Sequence, residues 1–183
     1  MNRRNALKRT AFLIGSATTF TTLGVVTQGC DSGPEVDWTS LSDPYIQSLL
    51  AEISETFLPA TEEPGAKELG VHHYVTRLLT DCYEKEVQQS FLLGLKQLEE
   101  ACDKSFGNTF NTCTPDEREE ILTGIDGMPN EKGELDALKS FYPLMKRLTI
   151  EGYMKSEYVV TNVLKYKLVP GPYVACAPVG TAS

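Results

Sequence analysis

Few side chains in this sequence could do chemistry. His72 and His73 are the only histidines, and they stand side by side. Adjacent residues on a helix project in different directions, so the pair is badly placed to close on one metal ion. No nucleophile elbow or placed acid supports Ser-His-Asp chemistry around either of them. They read as surface or core histidines of a helix. Gly124, Gly127 and Gly133 have neither the spacing nor the preceding strand of a dinucleotide fingerprint. No C-x-x-C-H run is present to attach a c-type haem. Glu99-Glu100, Glu117 and Glu119-Glu120 read as solvated helix faces and caps. The expectation is no catalytic residue, no cofactor-binding residue and no metal ligand in this chain.

Cysteine offers a different chemistry. Besides Cys30 the chain holds Cys82, Cys102, Cys113 and Cys176. No two have C-x-x-C spacing, which leaves a redox motif or zinc knuckle without support. In an exported chain, four cysteines permit two disulfides and three pairings. Cys82 and Cys102 are expected in successive antiparallel helices around one turn, as neighbours, which leaves Cys113 for Cys176. A buried free thiol is the other reading of each.

Export is the expectation from the N-terminus. Asn2 to Arg9 is a basic cap, and Ala11 to Val26 is uncharged and moderately apolar. Gln28-Gly29-Cys30 closes the stretch just before an acidic, Pro-containing one. That is the layout of an export signal. It is too short, and too rich in Thr, Ser and Gly, for a membrane span of about 20 apolar residues. Arg3-Arg4, followed by Ala6-Leu7-Lys8, resembles the twin-arginine signals that carry folded proteins across the bacterial inner membrane. A signal for unfolded chains is the other reading of the basic cap. Val26 to Cys30 resembles a bacterial lipoprotein box, in which Cys30 would become the lipidated first residue. Residues 1–29 are therefore assigned to the signal, 30–42 to a tether and 43–183 to the domain.

Beyond residue 29 the chain carries 13 basic and 25 acidic residues, a formal charge of −12. Nucleic acid, which requires clustered Lys and Arg, is excluded as a partner. What remains is the size of one ordinary domain with a real core.

Helical periodicity organises that domain. Asp43-Pro44 forms a cap and first-turn proline, and Ile46, Leu49, Leu50, Ile53 and Phe57 then recur at helical spacing until Pro59. Val71, Val75, Leu78, Leu79 and Cys82 form a second stripe. Val87, Phe91, Leu95, Leu98 and Cys102 form a third, interrupted by Gly94 at a cost of about 1 kcal/mol relative to Ala. Thr114-Pro115-Asp116-Glu117 is a capping box, followed by Ile121, Leu122 and Ile125. Leu138, Phe141, Met145, Leu148 and Gly152 give a fifth stripe, with Pro143 predicting a kink or a helix that begins near Tyr142. Tyr158 to Val160 either prolongs that helix or starts another. The fold class is all-α, five or six helices in one compact domain, with a non-repetitive Pro/Gly-rich tail. That tail and the helix before it are dense in tyrosine, which reads as core packing or as protein-binding surface.

The order of short segments resembles the gluconate 2-dehydrogenase subunit 3 family, the small non-flavin subunit of bacterial membrane-associated sugar and polyol dehydrogenases. Phe57-Leu58-Pro59, Pro64-Gly65-Ala66, Gly70-Val71, Phe106-Gly107 and Phe110 carry it. So do Leu148 to Tyr153, Ser156, Asn162-Val163-Leu164, Tyr166, and Val169-Pro170-Gly171-Pro172-Tyr173 with Cys176. The likeness runs from about residue 43 to 176. It implies a partner, a large FAD-containing subunit of the glucose-methanol-choline (GMC) type, often accompanied by a c-type cytochrome that carries haem. It also implies that the small subunit takes the large one across the membrane. With the signal and Cys30, the expected place is the periplasmic side of a bacterial envelope, held by a lipid anchor. Tyr153, Pro170, Gly171, Pro172 and Tyr173 are the expected grip on the flavoprotein, with Cys176 tying the tail to Cys113. The alternative is a stand-alone exported lipoprotein with a binding or structural role.

Overall fold

Asp43 opens the first helix. Its carboxylate accepts the backbone N–H groups of Tyr45 and Ile46, and Pro44 takes a position that needs no N–H, so α1 runs Pro44–Phe57. The computed structural model describes residues 36–127, 135–169, 171, 172 and 176. The expected signal with Arg3 and Arg4, and the lipidation site Cys30, lie outside these residues. Residues 37–42, assigned to the tether, are folded. Leu41 is buried, Trp38 meets the Tyr45 ring edge-on, and Gln47 Nε2 donates to the Leu41 carbonyl.

α2 spans Val71–Cys82, α3 Lys85–Phe106, α4 Pro115–Asp126 and α5 Asp136–Met154, followed by a short π-helix, Val159–Val163. The protein is all-α, with no strand among the described residues. The capping box forms as its residues require: Glu117 N–H donates to Thr114 Oγ1, and Thr114 N–H donates to Glu117 Oε2. The apolar stripes face inward, and Ile46, Leu79, Leu95, Leu98 and Met145 have no exposed surface. Cys82, expected on the α2 stripe, is exposed instead. Among the described residues, no helix is long and apolar enough to cross a membrane.

Among the described residues, α5 packs against all four other α-helices. Two glycines set how closely they come. A Cβ on Gly94 of α3 would lie 2.4 Å from Phe141 Cβ and 2.5 Å from the Ala137 carbonyl oxygen. One on Gly152 of α5 would lie 2.7 Å from the Tyr74 ring of α2. Gly94 is thus the contact surface on which α3 meets α5, rather than a mere interruption of its stripe. Of the two expectations for Pro143, α5 overturns the late start near Tyr142, since the helix begins at Asp136 and continues through the proline. Pro143 lies on the exposed side, while Phe141, Tyr142 and Met145 around it are buried and hold the helix across the missing N–H. Gln97 of α3 fixes the start of α5, its Oε1 accepting the Leu138 N–H at 2.9 Å.

Gly94→Ala should destabilise the protein by about 1–2 kcal/mol. Overpacking costs about 1–3 kcal/mol, and the better helix propensity of Ala returns less than about 1 kcal/mol. Gly124→Ala, on a helix position with nothing within 4 Å, should stabilise it slightly. Urea unfolding of both variants is the check, with opposite shifts of the midpoint at unchanged slope.

Candidate partner-binding surface

Pro59 ends α1's reach, and Glu55 ties down the loop that follows. Its Oε1 accepts the Ala60 N–H at 3.0 Å and its Oε2 the Lys67 N–H at 2.9 Å, while Ala66 N–H donates to the Leu58 carbonyl. The end of α5 is fastened to the same loop. Tyr153 Oη donates to the Pro64 carbonyl at 3.1 Å, and the Tyr158 hydroxyl bonds the Glu63 carboxylate. Behind them, Tyr74 Oη donates to Glu151 Oε1 at 2.9 Å, and Lys155 Nζ lies 2.5 Å from that same oxygen. Hydrogen bonds from Lys155 and then Tyr74 hold the Glu151 carboxyl below its ordinary range.

After α5 the chain turns through Ser156, whose Oγ donates to the Tyr153 carbonyl and accepts the Val159 N–H. The π-helix closes with Leu164 N–H on the Val159 carbonyl, and Lys165 at φ 48° reverses the chain. A left-handed residue without glycine is uncommon, and it turns the following segment outward. Leu164 and Tyr166 are exposed, and Leu168 and Val169 are each 83% exposed. Ile150 and Met154 lie exposed one turn apart on α5. Ile150 also borders an open groove of about 460 Å³ with Tyr142, Pro143, Lys146 and Arg147.

The expected interface residues divide. Tyr153 is half-buried and donates its hydroxyl to the Pro64 carbonyl inside the subunit, so it also positions the loop. Gly171 and Pro172 are exposed. Pro170 and Tyr173 lie outside the described residues. Val169 and Tyr166 fall in the segments read as core packing or as protein-binding surface, but Leu164 and Leu168 were not singled out for it, although Leu164, Tyr166 and Leu168 alternating with Lys165 and Lys167 is a period-two signal in a helical chain.

The other candidates are also placed. The His72 and His73 rings do not project apart but lie against each other, centroids 4.0 Å apart. Burial, then His73 and Lys67, hold His72 below the usual imidazole range. Among the described residues, no group of metal-ligating side chains gathers. Glu100 is solvated, but Glu99 is half-buried beside the Tyr45 hydroxyl and the Phe110 backbone, and burial raises its carboxyl. Cys82, Cys102, Cys113 and Cys176 are free thiols. The expected neighbours Cys82 and Cys102 are apart. Cys82 ends α2, whereas Cys102 lies seventeen residues beyond the start of α3, roughly 25 Å along a helix rising 1.5 Å per residue. Cys113 is buried against Cys102, and Cys176 is exposed.

Exposed apolar side chains thus gather at the end of the central helix and just beyond it. Residues 46–171 match the family model for gluconate 2-dehydrogenase subunit 3, and the chain belongs to that family. No curated protein and no solved structure matches it. Membership suggests a small subunit of a dehydrogenase complex, associated with a dehydrogenase subunit. The match includes the Glu55-held loop, the end of α5 and the exposed run.

Tyr153→Phe should cost the isolated subunit about 1 kcal/mol, the net value of one hydrogen bond, and loosen the 58–66 loop. Hydrogen exchange of the Ala60 and Ala66 amides, alongside thermal unfolding, reads both effects. Unchanged protection would mean that Glu55 alone holds the loop.

Proposed function

We propose that this chain is the non-catalytic accessory subunit of an exported FAD-dependent, GMC-type dehydrogenase acting on a sugar, sugar acid or polyol. Its work is to support the folding, export and membrane association of the flavoprotein. The observation that carries this reading is the exposure of Leu168 and Val169 at 83% each, beside exposed Leu164 and Tyr166. Fully burying one such aliphatic side chain is worth about 1.5–3 kcal/mol, so a partner that covers this run gains affinity from few residues. The flavin belongs to the partner, and a c-type cytochrome as third subunit would carry the electrons onward. Because a flavoprotein folds around FAD before export, one twin-arginine signal at Arg3-Arg4 can serve the folded pair. Cys30, once lipidated, would hold the pair on the periplasmic side of the envelope.

Replacing Leu168 and Val169 together by Ser should weaken binding of the purified flavoprotein at least about tenfold, or 1.4 kcal/mol. The melting temperature of the free subunit should stay where it is, since neither side chain is buried. Undiminished affinity would remove the run from the interface. A wild-type chain that never binds the flavoprotein would favour the stand-alone lipoprotein, the reading that the Val26–Cys30 box also permits.

For export, Arg3-Arg4→Lys-Lys preserves charge and should leave the flavoprotein folded but cytoplasmic. Dehydrogenase activity in fractionated cells measures this, and undiminished periplasmic activity would mean another route.

A further inference from the structure

We propose that Cys102 and Cys113 are a disulfide pair, whose oxidation locks the turn between α3 and α4 while Cys82 and Cys176 stay outside it. Gly107 begins that turn. At φ 69° it reverses the chain after Phe106, and its N–H donates to the Asp103 carbonyl at 2.8 Å. Thr112 and Cys113 then both donate their N–H groups to the Thr109 carbonyl, at 2.9 and 3.0 Å. Phe110 anchors the middle of the turn, fully buried. Arg118 of α4 grips it from the far side, with Nε on the Phe110 carbonyl at 2.9 Å and Nη2 on the Asn111 carbonyl at 2.7 Å. Its guanidinium also lies over the Phe110 ring. So held, Cys113 returns to α3 immediately before the cap Thr114, and its buried thiol comes close enough to the buried Cys102 thiol for each to perturb the other. Both are buried, and neither Cys82 nor Cys176 is.

The chemistry is thiol–disulfide exchange with a disulfide oxidant, either a small molecule such as glutathione disulfide or a protein disulfide. One cysteine attacks the oxidant as a thiolate and displaces half of it as a thiol. The second cysteine then attacks the mixed disulfide and displaces the other half. Two protons and two electrons leave the protein's thiols, and the oxidant departs as two thiols. Either cysteine can make the first attack, since in the folded chain Cys113 is 4% exposed and Cys102 not at all, and neither is open to an oxidant there. Burial, with Cys113 and Glu99 nearby, pushes the Cys102 thiol up to about 12, and burial also raises Cys113. In the folded chain the pair therefore reacts slowly. The bond forms while the turn is still open during folding, and burial then shields it from reductants.

The test uses the full chain, refolded from denaturant in a glutathione/glutathione disulfide buffer. Free thiols are alkylated under denaturing conditions and the protein is digested with trypsin without reduction. Lys104 separates the two cysteines, so the expected product is peptide 97–104 joined to peptide 105–118, with Cys82 and Cys176 alkylated. The oxidised protein should melt roughly 8–10 °C above the reduced one, as expected for closing a short loop in a domain of this size. Cys102→Ser and Cys113→Ser should each abolish the difference. If either variant fails to fold, the peptide map of the unmutated chain still decides. Four alkylated cysteines would overturn the proposal, and so would dominant Cys82–Cys102 or Cys113–Cys176 peptides.

Discussion

The structure depends on how closely α5 can be approached. A helix that touches four others needs small residues where the axes come nearest, since a side chain on either helix must otherwise fill the gap. Gly94 supplies that on α3 and Gly152 on α5 itself. Both tolerate the closeness for lack of a Cβ, and both would strike backbone or ring atoms if they had one. Once α3 and α2 are seated, the buried faces of α1 and α4 close the remaining sides. Phe57 of α1 packs edge-on to Tyr142, and Phe91 of α3 packs against Phe141. The core is then continuous, and α5 is its axis.

That seating decides what the far end of α5 can do. With Gly152 pressed on Val71 and Tyr74, the last turn cannot shift, and Tyr153 reaches Pro64 in a loop already held by Glu55. Segments far apart in sequence and named in the family resemblance meet here: Pro59, Pro64 to Ala66, Gly70-Val71, and Leu148 to Ser156. Their shared service is positional. They give the π-helix a fixed start, and Lys165 then turns the apolar run outward.

Much of this was legible in the sequence because it is local. Asp43-Pro44 and the Thr114–Glu117 box specify helix starts through their own hydrogen bonds, and the stripes specify inward faces through spacing alone. The misread residues depend on what lies across from them. Gly94 looks costly within its own helix and is required only once Phe141 and Ala137 sit opposite. Pro143 suggests a start near Tyr142, but with its flanking side chains buried the helix begins earlier, at Asp136. Glu99 belongs to a polar pattern along α3, and only Tyr45 of α1 and the return of Phe110 half-bury it. The expected nearness of Cys82 and Cys102 was lost for the same reason. Sequence order put Cys82 near Cys102, but the length of α3 carries Cys102 to the opposite end, where the 107–114 turn delivers Cys113.

One ion network joins that turn to the loop at the candidate surface. Glu52 of α1 bonds Arg118 through one oxygen and Lys67 through the other. Burial alone would raise its carboxyl, yet the hydrogen bonds from Lys67 and Arg118 hold it below the ordinary range. The two contacts are unequal. Lys67 is 52% exposed, and such a pair contributes little. Arg118 and Glu52 are 14% and 17% exposed, so their charges depend on each other, and losing one would leave the other largely buried and unpaired. Because the folded carboxyl titrates below its unfolded value, this contribution is full above the unfolded pKa and is lost as pH falls through the folded one. Arg118 also donates to the Phe110 and Asn111 carbonyls, bonds that do not run through Glu52. Acid would therefore slacken the tie between the two regions before it released the turn that holds Cys113.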